Sequence, residues 1–489
     1  MEKKRSAVLR RTAFSLAVTL LFLFFLMWKL NFYLAANIKE GLYLFIAPVL
    51  IVGVLYFRGL RDGLESKLLA AFMAWLVLTR IVNGDRVLNR EYLFLLDMAL
   101  MLPMFALGLV LDAAGRKRVL TALSVVLSVY FFVLGCLCIY TFISHNDMMN
   151  PITGGHLTEV HYGDVIPRIC ALDTNCNVVA YWFMIPLLLA PYLFFSCRRK
   201  LWRVPIVLSA LVDYIVIAYT YCRSVMLASS LCFGLLAVML LRRRAPGMQR
   251  LLRALLSLLL FAAVTAGCFL CYGYTAAGRR VIKDALDKLA EPEELQTQLA
   301  PAVQSEPMEL RAFVPFEMTV PAQVESTELA AINRAGESTL DELSSGRLHI
   351  YRAALEAVRR QPAILLRGCA ADDVMKLTNA VLEEEGYSER VHMHNFVLQC
   401  LLLVGVPGLL LVLVFCARLV FAGLRLALSE KHSAPFAEQT LALPVLACLI
   451  FGQFESGFFN YTDERTLYFY LISGFLIGCY RRAFPPRTV

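Results

Sequence analysis

The chain has 489 residues, 59% of them hydrophobic and 17% charged, with a mean hydropathy of +0.64. One soluble core cannot use that much apolar sequence, so composition excludes an ordinary globular enzyme and points to a polytopic membrane protein. The formal charge of +9 gives no support to nucleic-acid binding, because the cations sit in short turns between apolar runs, where they act as a topological signal.

Apolar runs near 13–34, 42–57, 68–82, 92–111, 119–143, 177–196, 204–221, 224–241, 251–273, 396–417, 440–455 and 466–480 are each long enough to span as a helix. They predict an all-α polytopic membrane protein of about twelve transmembrane helices. The first run follows Lys3, Lys4, Arg5, Arg10 and Arg11 and has no small-x-small cleavage site after it, so a retained signal anchor is expected. Alternate turns then hold Arg58, Arg61 and Lys67; Arg116, Lys117 and Arg118; Arg198, Arg199, Lys200 and Arg203; Arg242, Arg243, Arg244 and Arg250; Arg418, Arg425 and Lys431; and Arg481 and Arg482. Opposite turns are poor in basic residues, with Lys39 in the first and only Arg168 in the loop around 144–176. The positive-inside rule therefore predicts both termini in the cytoplasm.

This topology divides the chain into helices one to nine over 1–273, a large extracytoplasmic loop over 274–394, and helices ten to twelve over 395–489. The loop is partly helical by pattern, over 281–299, 346–360 and 371–385, while 301–330 is rich in Pro, Glu and Val without a period. From 281 to 393 it holds 20 acidic against 11 basic residues, a net charge of −9. No internal repeat occurs, and no pair of broken hydrophobic segments recurs in two halves, which speaks against many secondary-transporter folds.

Most of the 14 cysteines lie inside apolar runs as small hydrophobes. Cys170 and Cys176 share an outer loop and either pair in an oxidising compartment or remain thiols; Cys369 has no obvious partner. Six of the seven histidines, His145, His156, His161, His349, His392 and His394, fall on the predicted outer side, and His432 alone falls inside. His392-x-His394 could contribute to a zinc site, yet no nearby Cys or carboxylate completes a familiar spacing. No D-x-D motif occurs in the outer loops, and Asp372-Asp373 is adjacent, not spaced, so no metal is expected.

The polar pair His394-Asn395 leads directly into the tenth apolar run, with Leu398, Gly405 and Gly408 along it. Ordinary readings exist for each candidate. His394 could anchor a helix end at the interface, Asn395 could cap that helix, Arg223 could snorkel to head groups, and Arg347 could pair within an acidic loop. Set against these, H-N-x-x-L-x(6)-G-x-x-G is preceded by Ser345-Gly346-Arg347 with Tyr351, by Pro362 and Gly368, and by Arg223 in the turn between the seventh and eighth helices.

In these features the chain resembles the O-antigen ligase and O-antigen polymerase superfamily, bacterial membrane glycosyltransferases with about twelve helices and one large periplasmic loop. Tyr351 stands where many members have Trp, Leu403 where they have Glu and Ala370 where they have a second Gly. The resemblance implies Arg223, Arg347 and His394 as catalytic residues; Asn395, Tyr351, His392 and Arg352 are expected to contact substrate. It also implies a multi-pass protein of the bacterial cytoplasmic membrane, a polyprenyl-pyrophosphate-linked saccharide donor, and a glycan or glycolipid acceptor. No cofactor and no nucleic-acid partner are expected.

The chemistry is coherent without the family. Outside the cytoplasm a glycosyl donor must carry its own leaving group, and pyrophosphate leaves as a stable anion that guanidinium groups neutralise well. A histidine near neutral pH can serve the acceptor hydroxyl as base. The lack of a paired-carboxylate nucleophile favours a single displacement with inversion. Two other classes remain as alternatives. A polyprenyl-phosphate-sugar transferase should show acids in its first outer loop, which offers only Glu40. An exporter or flippase should line the membrane interior with polar groups, of which Asp97 and Asp213 are the clear acids.

Overall fold

The computed structural model describes residues 63–84, 101–102, 104–109, 111–144, 147–149, 156–161, 168–171, 175–245, 248–290, 347–370, 373–387, 390, 393–429, 434–455 and 464–485. The first two expected helices, much of the fourth, the irregular middle of the large loop and His392 lie outside the described residues.

The elements in chain order are α1 (Leu64–Val82), α2 (Ala113–Ser144), β1 (Met148–Met149), β2 (His156–His161), β3 (Arg168–Ala171), α3 (Cys176–Ser196) and α4 (Arg203–Thr220). They continue with α5 (Arg223–Arg244), α6 (Arg250–Ala290), α7 (Arg347–Arg360), α8 (Ile364–Arg367), α9 (Asp373–Glu384), α10 (Phe396–Ala427), α11 (Phe436–Gln439), α12 (Ala442–Phe451) and α13 (Glu464–Ala483). Among the described residues six helices are long and apolar enough to cross a membrane: α2 to α5, α6 over Arg250–Ala276, and α10. The chain is a multi-pass membrane protein. α3 is apolar on every side and accordingly sits at the centre of the bundle, buried from Val179 to Leu193.

The all-α expectation needs one correction, because the loop before α3 holds a small antiparallel sheet of order β1-β2-β3. In β2, Thr158 and Val160 are buried while Leu157 and Glu159 are half-buried, the two-residue alternation of a strand lying on a core. Strands this short leave no mark on a pattern read for membrane helices. A disulfide between Cys170 of β3 and Cys176 of α3 fastens the sheet to the central helix. α6 also runs on to Ala290, beyond the expected end of the ninth helix at 273.

α10 is two helices meeting at Gly405, whose φ of 66° and ψ of −175° suit glycine alone. Pro407, just past the kink, has no N–H to offer the Leu403 carbonyl, and the carbonyls of residues 402 to 404 accept from outside the helix. Three groups from elsewhere take them: the Cys369 N–H donates to the Leu402 oxygen at 2.7 Å, the Arg80 guanidinium to the Leu403 oxygen, and the Trp75 indole to the Val404 oxygen at 2.8 Å. A Cβ on Gly368 would lie 2.3 Å from the Leu403 oxygen, so the loop reaches the kink only because residue 368 has none. The P-x(5)-G and G-x-x-G patterns are thus one joint, holding the loop helices against the first half of α10.

At the opposite end of α10, buried Glu65 of α1 accepts from Arg418 of α10 at 2.8 Å and from Arg481 of α13 at 2.6 Å. This pairing satisfies both carboxylate oxygens and ties three helices together.

Candidate functional site

Arg223 is placed by a tight reversal. α4 ends at Tyr221 in the left-handed conformation (φ 55°), Cys222 is extended, and α5 begins at Arg223. The arginine is exposed in the first turn of a helix, where backbone N–H groups also favour an anion.

Arg347 opens α7, and Tyr351 follows one turn later on the same face. Tyr351 donates its hydroxyl to the His394 carbonyl at 2.9 Å, and burial pushes its phenol above the usual range, which keeps it a donor. His394 takes a φ of 52°, and three bonds fix the segment after it. The Asn395 side chain accepts the Leu398 N–H at 3.0 Å as N-cap of α10 and donates to the Gln453 carbonyl at 2.9 Å. The Phe396 N–H donates to the Gly452 carbonyl at 3.0 Å.

The residue that joins these parts is Glu455, just after α12. Its Oε2 lies 2.8 Å from His394 Nδ1, while Oε1 accepts from Arg347 at 3.0 Å and from Asn177 of α3 at 3.1 Å. Arg347 does form the salt bridge that a cation in an acidic loop invites, but its partner is Glu455, outside the loop. Arg168 of β3 adds a third guanidinium, donating to the Thr220 carbonyl at 2.9 Å and to Asn177 Oδ1 at 3.1 Å.

Arg168, Arg223 and Arg347 line one cavity of about 460 Å3 together with Asn177, Tyr351 and Gln453. Leu227, Phe269 and Phe454 supply apolar wall. Three cations beside hydrocarbon suit a ligand with a phosphate head and a lipid tail. His394 is not itself in the lining; Glu455 joins it to Arg347 and Asn177, which are.

Of the expected residues, Arg223, Arg347 and Tyr351 meet at the cavity, and His394 and Asn395 stand directly behind it. Arg352 is exposed on α7 and outside the lining, because it sits one residue beyond the Arg347–Tyr351 face. His392 lies outside the described residues. Sequence reasoning missed Glu455, one of three acids in 452–465, and did not assign Arg168 to the site. For Arg168 a signal existed, since it is the lone Lys or Arg in a loop expected on the cation-poor outer side.

A family model described as O-antigen ligase matches residues 204–413, a stretch that includes Arg223, Arg347 and His394. No curated protein and no solved structure matches the chain. Residues 204–413 are thus similar to the O-antigen ligase family, and the match covers less than half of the chain.

Proposed function

We propose that the protein is an extracytoplasmic glycosyltransferase that moves a saccharide from a polyprenyl-pyrophosphate donor to a hydroxyl of a surface glycan or glycolipid. The observation that carries this reading is the cavity in which Arg168, Arg223 and Arg347 converge beside the His394–Glu455 pair. The disulfide between Cys170 and Cys176 supports an oxidising, outer location for the site.

Pyrophosphate oxygens lie against the guanidinium groups, with Arg223 and Arg347 as the principal clamps and Arg168 as the third. Glu455 accepts a proton-bearing Nδ1 of His394, which leaves Nε2 as the free lone pair. His394 Nε2 takes the proton of the acceptor hydroxyl as its oxygen attacks the anomeric carbon. The bond from that carbon to the pyrophosphate oxygen breaks, and the electron pair leaves with the lipid pyrophosphate. The anomeric centre inverts, and no metal takes part.

The test is transfer by purified protein in nanodiscs from a lipid-pyrophosphate glycan to candidate acceptors, with EDTA present. Wild-type turnover that is insensitive to chelator and is lowered at least tenfold in each of Arg223→Ala, Arg347→Ala and His394→Ala is the expected result. Movement of lipid-linked glycan across the bilayer without a new glycosidic bond would overturn the enzyme reading in favour of a flippase.

A further inference from the structure

At the end of α4 away from Arg223, a cleft of about 450 Å3 opens between α2, the end of α3 and the start of α4. Lys117 stands at its mouth, and Val125, Val129 and Phe132 continue the same stripe along α2, facing Trp202 and Leu208. The polar atoms of this cleft are occupied within the protein: Ser209 donates to the Ser128 carbonyl at 3.0 Å, and the Thr121 hydroxyl meets that of Tyr192 at 3.3 Å. What the cleft offers is therefore hydrocarbon, with Val125, Val129, Phe132, Trp202 and Leu208 all exposed.

Charge at the mouth has one sign. Residues 113–118 and 197–203 contain seven basic residues and no acid. Arg116 is turned to the Leu111 carbonyl and Arg203 to the Cys197 carbonyl and the Phe194 ring. Lys117, Arg118, Arg198, Arg199 and Lys200 are exposed. The nearest acid on these segments, Asp112, caps the Gly115 N–H. From Lys117 to Phe132 the stripe runs about 22 Å at ~1.5 Å per residue, enough for a head group and a chain crossing one leaflet of about 15 Å.

We propose that this cleft binds an anionic glycerophospholipid, an acyl chain along α2 and α4 and the phosphate at Lys117 and the 198–200 run. Basic pockets between membrane helices on the cytoplasmic side hold such head groups by charge, and the chain fills the apolar slot. The site lies at the opposite end of α4 from the Arg223 turn, so the bound lipid braces the helix on which that turn depends. Only the assignment to the cytoplasmic leaflet rests on the orientation proposed above; binding itself is independent of the transfer reaction.

Trp202 provides the probe, as one of four tryptophans whose signal is isolated by comparison with Trp202→Phe. Full-length protein is placed in phosphatidylcholine vesicles containing a fixed minor fraction of either brominated phosphatidylglycerol or brominated phosphatidylcholine. Quenching of Trp202 should show about a fivefold preference for phosphatidylglycerol per engaged cation. That preference should fall in Lys117→Gln, while Val125→Phe, which fills the slot without changing charge, should reduce quenching by both lipids. Equal quenching by the two lipids in the wild type, or a preference undiminished in Lys117→Gln, overturns the proposal. Absence of quenching by either lipid also overturns it, and cross-linking between copies through Val129→Cys would then identify a second copy as the occupant.

Discussion

Replacing Glu455 with Gln alters one atom at the point where His394, Arg347 and Asn177 converge. Gln keeps a carbonyl oxygen for Arg347 or Asn177, but turned that way its amide presents N–H to His394 Nδ1. The imidazole then carries its proton on Nε2 and cannot accept one from the acceptor hydroxyl. Losing a positioned base costs about 10²–10⁴ in rate, and a wrongly tautomerised histidine behaves as a missing one. kcat should therefore fall about a thousandfold, close to 4 kcal/mol in barrier height. Donor KM should change little, because Arg168 and Arg223 still face the pyrophosphate. Initial rates against donor concentration in nanodiscs separate the two terms, with elution as a single folded species confirming that the variant is intact. A kcat within threefold of wild type would refute the tautomer argument, and a loss confined to KM would make Glu455 a binding residue only.

Other perturbations test the scaffold. Arg223→Ala should lower kcat/KM about 10- to 150-fold, the worth of one charge-assisted hydrogen bond of about 1.5–3 kcal/mol, and Arg223→Lys should recover part of it as a point charge without the planar fork. Gly405→Ala places a side chain at φ 66°, a strain of about 1–3 kcal/mol, with its Cβ 2.8 Å from the Leu366 carbonyl; the thermal aggregation midpoint should drop and activity with it. Cys170→Ser opens a loop with a sequence separation of 6, worth about 2 kcal/mol on the chain-entropy model; reductant should lower the wild-type melting temperature and leave the variant's unchanged. Glu65→Gln leaves the part-exposed Arg418 and Arg481 facing a neutral amide, and the melting temperature should fall as the tie between α1, α10 and α13 weakens.

The helices were legible because a membrane helix must be written as a long apolar run. The described α2 to α5 begin and end within a few residues of the expected spans, apart from the earlier start of α2. The sheet before α3 was not legible, since β1 to β3 are two, six and four residues long and only register and burial distinguish them from loop. Arg223, Arg347 and His394 were marked by spacing and by resemblance, whereas Glu455 belongs to no local pattern: it reaches His394 across 61 positions and Arg347 across 108. A contact of that kind is a property of how α7, α10 and α12 pack. Arg168 lay between these cases, conspicuous as a charge in the wrong kind of loop, yet brought to the cavity only by β3 and the disulfide behind it.

The same packing explains why the glycines of the motif sit so far from the proposed site. Gly405 lies ten residues beyond Asn395 and is not itself in the cavity lining, but it breaks α10 where Arg80, Trp75 and Cys369 grip the carbonyls of residues 402 to 404. The first half of α10 is thereby held at its C-terminal end by α1 and the loop, and at its N-terminal end by Asn395 and the 452–455 turn. A short helix clamped at both ends can hold His394 in a left-handed backbone conformation, which costs about 1–3 kcal/mol, and so keep its ring on Glu455. Weakening the distal clamp should therefore act on the histidine's orientation as well as on stability, the link between a glycine pattern and the proposed base that sequence spacing alone leaves unexplained.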